Sequence, residues 1–263
     1  MSLLGTILDH TSAETARRKK VLPVQRLKEH PFFSRTTGSL TDALASRSFA
    51  VIAEVKKASP TRGVIRERFD PVAIAADYER GGAAAISVLT DEEFFQGKLD
   101  YLEAIRGRVT LPLLRKDFVL DPYQLYEAKA AGADAVLLIV AALEPFRLVE
   151  LEAEARSLGL ECLVEVHTEE EMDIANANGS PLIGINNRDL STFRTDLETS
   201  LRLSPRARKG ALCVSESGIG TKEDIDALAR AGIHAVLVGE SFMRAENPGE
   251  ALAAFRALGE TVT

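Results

Sequence analysis

The chain has 263 residues, 46% of them hydrophobic and 27% charged, with a net charge of −7 and a pI near 5.3. That length fits one large barrel or two ordinary domains, and the composition is that of a folded, soluble protein. The acid excess argues against a nucleic-acid surface, which needs a basic face to displace counterions, while a local cationic pocket can still hold a small anion.

From Leu3 to Lys20, the side chains of Leu3, Leu4, Ile7 and Leu8 fall on one side of a helix that finishes in Arg17, Arg18, Lys19 and Lys20. The spacing predicts an amphipathic helix with cations near its C-terminus, where the macrodipole favours them. Pro23, Pro31 and the polar turn Thr36 to Ser39 then break the chain into short helices and loops up to Phe49. Residues 1–49 read as an N-terminal helical extension packed on a larger body, 50–263.

That body opens with AVIAEVKKASPTRG, Ala50 to Gly63. Ala50 to Val55 has the β-branched, apolar character of a buried strand, and alternation places Ile52, Glu54 and Lys56 on one face, with Val51, Ala53 and Val55 on the other. An acid and an amine therefore project together from one strand end, as an ordinary ion pair or as part of a site. A rhythm of apolar strand, polar turn and alanine-rich helix follows, with strands starting near Ala50, Ala84, Leu111, Ala135, Glu161, Leu182, Leu212 and Ala235. Helices start near Pro71, Lys98, Pro122, Glu144, Thr168, Asp196, Thr221 and Pro248. Several helices end on glycine caps, at Gly81 or Gly82, Gly132 and Gly232, and pass straight into a strand. About eight such units close a (β/α)8 TIM barrel, an α/β fold; an open doubly wound sheet is the alternative, disfavoured because no GxGxxG follows any strand.

In such a barrel the strand ends carry function. The third strand ends LLRKDF, placing Lys116 with Leu114; the fifth ends CLVEVH, placing Glu165 with Leu163; the sixth ends IGINNRD, offering Asn186 and Arg188 on one side. One charged strand end is usually a surface ion pair, but repetition at the first, third, fifth and sixth strands favours a site. The last two strands end in VSESGIG and VLVGES, whose glycines let backbone N–H groups approach a phosphate, so a phosphorylated substrate is expected. Cys162 and Cys213 lie in apolar runs and read as packed free thiols of a reducing compartment, and the four histidines lack ligand spacing, so no metal is expected. No leader or membrane span is evident, and cytoplasm is the expected location.

The motifs IAEVKKASPTRG, SVLTDEEFFQG, LPLLRKDF, LLIVAAL, LVEVH, IGINNRDL, SESGI and LVGESFM, in that order, resemble those of the indole-3-glycerol phosphate synthase family over essentially the whole length, N-terminal extension included. The resemblance implies a lyase of tryptophan biosynthesis, cytoplasmic and cofactor-free. It would convert 1-(2-carboxyphenylamino)-1-deoxyribulose 5-phosphate to indole-3-glycerol phosphate with loss of CO₂ and water. It further implies a monomer, with association to other enzymes of the pathway as an option. By the same resemblance Lys116 is the general acid and Glu165 the general base, with Glu54, Lys56, Asn186 and Ser217 completing the catalytic face. Arg188 would steady the substrate or the carboxylates around it, and Ser59 and Lys56 would meet the anthranilate carboxylate. The phosphate would sit on the Ser217-Gly218 and Gly239-Glu240 backbones near Lys56. Glu240 stands where some members have serine, which puts any role of its side chain in question. Phe94, Phe95, Phe118, Leu137 and Leu237 are expected around the aromatic part of the pocket, or in the plain core, and the N-terminal helix could cap it.

The chemistry agrees with these roles. Ring closure onto a ketone needs a proton donor for the ketone oxygen, and dehydration needs an acid and a base together; Lys116 and Lys56 are the ammonium groups, Glu165 and Glu54 the carboxylates. How the lysines divide the two donations is open at this level. A phosphoribosylanthranilate isomerase would place a Cys/Asp pair where Glu54 and Glu165 stand, and a catalytically dead scaffold would lack charged groups that are all present here.

Overall fold

The computed structural model describes residues 2–190, 192–233 and 235–259. His234, one of the four histidines, lies outside them. Three helices come first, α1 (Leu3–Val21), α2 (Val24–Lys28) and α3 (Leu40–Ala45), followed by the strand β1 (Ala50–Val55). A small antiparallel hairpin, β2 (Ala58–Ser59) and β3 (Gly63–Val64), leads into α4 (Pro71–Gly81). The alternation continues with β4 (Ala85–Leu89), α5 (Leu99–Arg106), β5 (Leu113–Lys116), α6 (Pro122–Ala130), β6 (Ala135–Ile139), α7 (Pro145–Ser157), β7 (Glu161–Val166) and α8 (Glu169–Asn178). The chain ends with β8 (Leu182–Asn186), α9 (Glu198–Leu203), β9 (Leu212–Glu216), α10 (Lys222–Arg230), β10 (Ala235–Val238), α11 (Glu240–Arg244) and α12 (Pro248–Gly259).

Eight of these strands are parallel and close into a barrel in the order β1-β10-β9-β8-β7-β6-β5-β4, so the fold is a (β/α)8 TIM barrel and the open sheet is overturned. Its observed strands and helices start within two residues of the expected positions. Helix starts are fixed by local chemistry: Asp70 caps α4 through the Val72 and Ala73 N–H groups with Pro71 in the first turn, and Asp121 with Gln124 forms a capping box on α6. Gly82, Gly132 and Gly232 adopt the left-handed backbone that ends a helix. Absent from the sequence reading were the β2–β3 hairpin and the short α11, which occupy the segments read there as turns.

Strand alternation sorts the apolar residues into two layers. Ile52, Leu114, Leu137, Leu163, Val214 and Leu237 point into the barrel, whereas Val51, Val55, Val136, Leu138, Val164 and Val166 pack under the helices. Fully buried Leu40 of α3 joins the inner cluster among the residues that begin the strands, and plugs that end. The same segment is tied down by Arg35 on Asp134 at 2.6 Å and by Ser39 and Thr41 donating to Glu161. Helix α1 runs past α6, with Arg18 on Glu127 at 2.8 Å and Lys19 on Asp121 at 2.5 Å, and carries its apolar start to the opposite mouth.

Candidate active site

At the C-terminal ends of the strands lies a cavity of about 620 Å³. Inner-face positions two residues beyond the barrel leucines and isoleucines reach it, which is why charged side chains at strand ends converge there. Lys116, at the end of β5, places Nζ 2.8 Å from Oε2 of Glu165 and 3.0 Å from Oε2 of Glu216. Asn186 donates to Oε1 of Glu165 at 3.2 Å. Glu54, within electrostatic reach of Lys116 and Glu216, pairs with Lys56 at 2.5 Å. Ser59, Arg188, Ser217, Gly218, Gly239, Glu240, Phe118, Leu137 and Leu237 also line it, as do Phe95 and the α1 residues Leu3, Leu4 and Ile7.

Two glycines make room for this cluster. A Cβ on Gly184 of β8 would overlap Oε1 of Glu216, and one on Gly239 would overlap the Glu54 carboxylate. Ser217 and Gly218 both take left-handed backbone, with φ of 68° and 77°, and Asn187 holds that turn by donating to the Ser217 carbonyl at 3.0 Å. Ser217 is a non-glycine residue in a disfavoured region, held there at the mouth of a cavity, as functional turns often are. The Glu240 side chain turns onto Arg244 at 3.0 Å and Arg62 at 3.4 Å, so an acid beside the expected phosphate position has its own cations.

One pocket expectation fails. Phe94 does not line the cavity; its ring packs edge-on against His10 of α1 with centroids 5.6 Å apart. Both Phe94 and Phe95 donate backbone N–H to Oδ1 of Asp91, and that tight turn sends consecutive rings to different sides. Glu216 is the residue the sequence reading passed over. It lies two positions beyond inward-facing Val214, the same offset that relates Lys116 to Leu114 and Glu165 to Leu163, so the alternation was there to find it.

Residues 4–255 match the sequence profile of the indole-3-glycerol phosphate synthase family. An indole-3-glycerol phosphate synthase from Salinibacter ruber is 51% identical over 264 aligned residues, covering 100% of this chain and 98% of that protein. One from Carboxydothermus hydrogenoformans is 51% identical over 234 residues, 87% of this chain and 89% of that protein. The chain belongs to the indole-3-glycerol phosphate synthase family. Among solved structures, thiamine phosphate pyrophosphorylase from Pyrococcus furiosus superposes with a TM-score of 0.63 at 17% identity, over 82% of this chain and 97% of that one, a likeness of the barrel fold alone.

In this synthase-family barrel the cluster holds more carboxyl groups than lysines, and its proton distribution follows from burial and neighbours. Burial disfavours the Lys116 ammonium, but Glu165, Glu216 and Glu54 outweigh it and hold the amine well above its ordinary range. Glu165, equally buried, is kept well below the usual carboxylate range by Lys116 and His167. Glu216 goes the other way, pushed up to about 7 by burial and then by Glu165 and Glu54 against the pull of Lys116. Its Oε1 is buried with no hydrogen-bond partner among the described residues. One lysine between two carboxyl groups thus has an ionised partner and a partner that carries a proton near neutrality.

This division has a stability consequence. A free glutamate titrates near 4.5 and folded Glu216 near 7, so between those values the folded state holds a proton that the unfolded chain has released. Stability from this group therefore declines as pH rises from about 4.5 to about 7 and is level above that. Glu216→Gln removes the decline. Its melting temperature relative to wild type should climb across that window and level off, a stabilisation on the order of a few kcal/mol. Thermal melts from pH 4.5 to 8 check it; a difference that is flat with pH contradicts the assignment.

Proposed function

We propose that this cavity closes the indole ring of 1-(2-carboxyphenylamino)-1-deoxyribulose 5-phosphate, releasing CO₂ and water, with proton transfers carried by its own side chains. The observation that carries the reading is Lys116 held between Glu165 and Glu216 in a cavity that the Lys56–Glu54 pair also lines. The aromatic carbon bearing the carboxylate attacks the ketone carbon, and the ketone oxygen takes a proton from an ammonium as the bond forms. Loss of CO₂ restores the aromatic ring. The new hydroxyl then leaves as water on accepting a second proton, while a carboxylate removes one from the ring being formed. Protons and electrons balance without an outside oxidant or reductant.

Lys116 supplies the first proton and is restored through its carboxyl neighbours, with Glu165 as the base. Lys56, beside Glu54, serves the substrate's carboxylate with Ser59 and lies near the phosphate. The phosphate rests on backbone N–H groups of Gly218, Gly239 and Glu240, and Arg188 steadies the anionic end. Phe95, Phe118, Leu137 and Leu237 supply the apolar wall against which the anthranilate ring lies. Every group named comes from one chain, so the site needs no partner subunit, and a monomer working in the cytoplasm suffices. Among the described residues, no helix is long and apolar enough to cross a membrane.

Adding the carboxyphenylamino substrate to wild-type protein and following indole fluorescence tests the reading directly. Expected is multiple turnover; a folded protein that gives none overturns it. Helix α1 contributes Leu3, Leu4 and Ile7 to the wall. Removing residues up to Val21 should raise KM about tenfold, the loss of roughly 1.4 kcal/mol of binding. Steady-state kinetics decide, and an unchanged KM would remove α1 from substrate binding.

A further inference from the structure

Behind the cavity, at the end of β7, one imidazole is enclosed by two carboxylates. His167 Nε2 lies 3.3 Å from Oε1 of Glu165, and its Nδ1 lies 3.1 Å from Oε2 of Glu171 in the first turn of α8. Glu171 is fixed there, because the His167 backbone N–H donates to the same Oε2 at 2.7 Å and Thr168 caps the helix onto the Glu171 N–H at 3.2 Å. The imidazole is 9% exposed and lies outside the cavity lining, so it does not meet a substrate bound there.

A neutral imidazole has one acceptor nitrogen, and either choice sets that nitrogen within 3.1–3.3 Å of a carboxylate oxygen, which a neutral ring does not attract by charge. The structure gives Nδ1 a hydrogen bond to Glu171 and Nε2 none among the described residues, so Glu165 meets the ring through charge at 3.3 Å, and the imidazolium is the form attracted to both carboxylates. Burial works against that cation, but Glu165 and Glu171 prevail and push the ring up to about 10. The charged and polar groups around the arrangement are Glu165 on β7, Glu171 on α8 and Asn186 on β8, the last sharing Oε1 of Glu165. Beyond Glu165 stands Lys116 on β5, and beyond Lys116 stands Glu216 on β9.

Glu165 and Glu216 share the Lys116 ammonium but differ in their other oxygen: Oε1 of Glu165 accepts from Asn186, whereas Oε1 of Glu216 has no hydrogen-bond partner among the described residues. Both are 2% exposed, and both sit within hydrogen-bond distance of the same ammonium, at 2.8 and 3.0 Å. The His167 cation behind Glu165 adds to the Asn186 hydrogen bond on the same carboxylate and has no counterpart behind Glu216 among the described residues. We propose that His167, clamped between Glu165 and Glu171, is a positioning residue that decides which of the two carboxyl groups on Lys116 works ionised, making Glu165 the base and leaving the proton on Glu216. The inference rests on the reaction proposed above and adds to it a control of proton distribution from outside the cavity.

The sign of the effect follows. Taking a cation from beside a carboxylate raises that carboxylate's pKa, so the acid limb of the kcat profile must move to higher pH. His167→Gln keeps an amide donor toward Glu165 but loses the charge. Its acid limb should rise by about 1–2 pH units, with KM within about twofold of wild type because the side chain is outside the cavity. Glu171→Gln, which strips the imidazolium of its second partner, should move the limb the same way by less. A role in packing alone would lower kcat equally at every pH and leave the limb in place, and that result in folded His167→Gln overturns the inference. Should His167→Gln fail to fold, ¹⁵N NMR of wild-type protein at pH 8 decides: imidazolium shifts support the proposal, and a neutral ring overturns it. Should wild type not turn over the substrate, the proposed reaction falls first. Carboxyl ¹³C titrations of Glu165 and Glu216 in wild type and His167→Gln then still read the inference, which fails if their order is unchanged by the substitution.

Discussion

Replacing Lys116 by methionine is expected to lower kcat by about a thousandfold at saturating substrate, within the range that positioned proton donors contribute. Its side chain is 11% exposed and its ammonium touches two buried carboxyl groups, so no solvent proton source stands in easily for it. The change also removes the cation nearest both carboxyl groups, so Glu216 keeps its proton to higher pH and Glu165 loses the charge that held it ionised. Glu165 then takes up a proton more readily, which offsets the lost charge and limits the damage to stability at neutral pH while removing the ionised base. Lys116→Arg is expected to be nearly as slow, since guanidinium keeps the charge but does not release a proton in this pH range. Single-turnover fluorescence separates chemistry from binding; more than a tenth of the wild-type rate in Lys116→Met would remove this lysine as the proton donor.

Much of this arrangement is legible in the sequence because strands report their faces. Ile52, Glu54 and Lys56 alternate onto the inner face, as do Leu114 with Lys116 and Leu163 with Glu165, and closure of the barrel brings those ends to one mouth. The helix starts were legible for the same local reasons that form them, namely Asp70-Pro71, Asp121-Pro122 and Thr221. What escaped was decided by geometry between elements. Glu216 obeys the alternation, but it sits in a glycine-rich phrase read for its backbone, and its importance depends on Lys116 arriving from β5. Phe94 and Phe95 are adjacent in the chain, and only the turn around Asp91 tells which ring faces the cavity. His167 gains its meaning from Glu165 and from a first-turn glutamate of α8, a contact that no periodicity encodes.

Arg115 shows the same limit and supports the largest stability change expected here. It stands next to Lys116 but points to the opposite face, between barrel and helices, and is 1% exposed. There its guanidinium meets Asp117 at 2.9 Å and Glu127 at 3.3 Å, and donates to Thr90 and to the Gln124 carbonyl. Glu127 is in turn held by Arg18 of α1 at 2.8 Å, so the buried network joins the N-terminal helix to the strand that carries Lys116. Arg115→Met leaves Asp117 and Glu127 buried without their central cation, and removing one member of such a set costs about 3–5 kcal/mol. In a chain of this size the melting temperature should fall by roughly 10 °C. Because the penalty comes from stranded charge more than from lost attraction, adding Asp117→Asn and Glu127→Gln to Arg115→Met should recover a large part of the loss. Thermal melts of the single and triple variants test this. A triple variant less stable than the single would mean that the network holds β5 and α6 together by its hydrogen bonds, and that charge compensation is secondary.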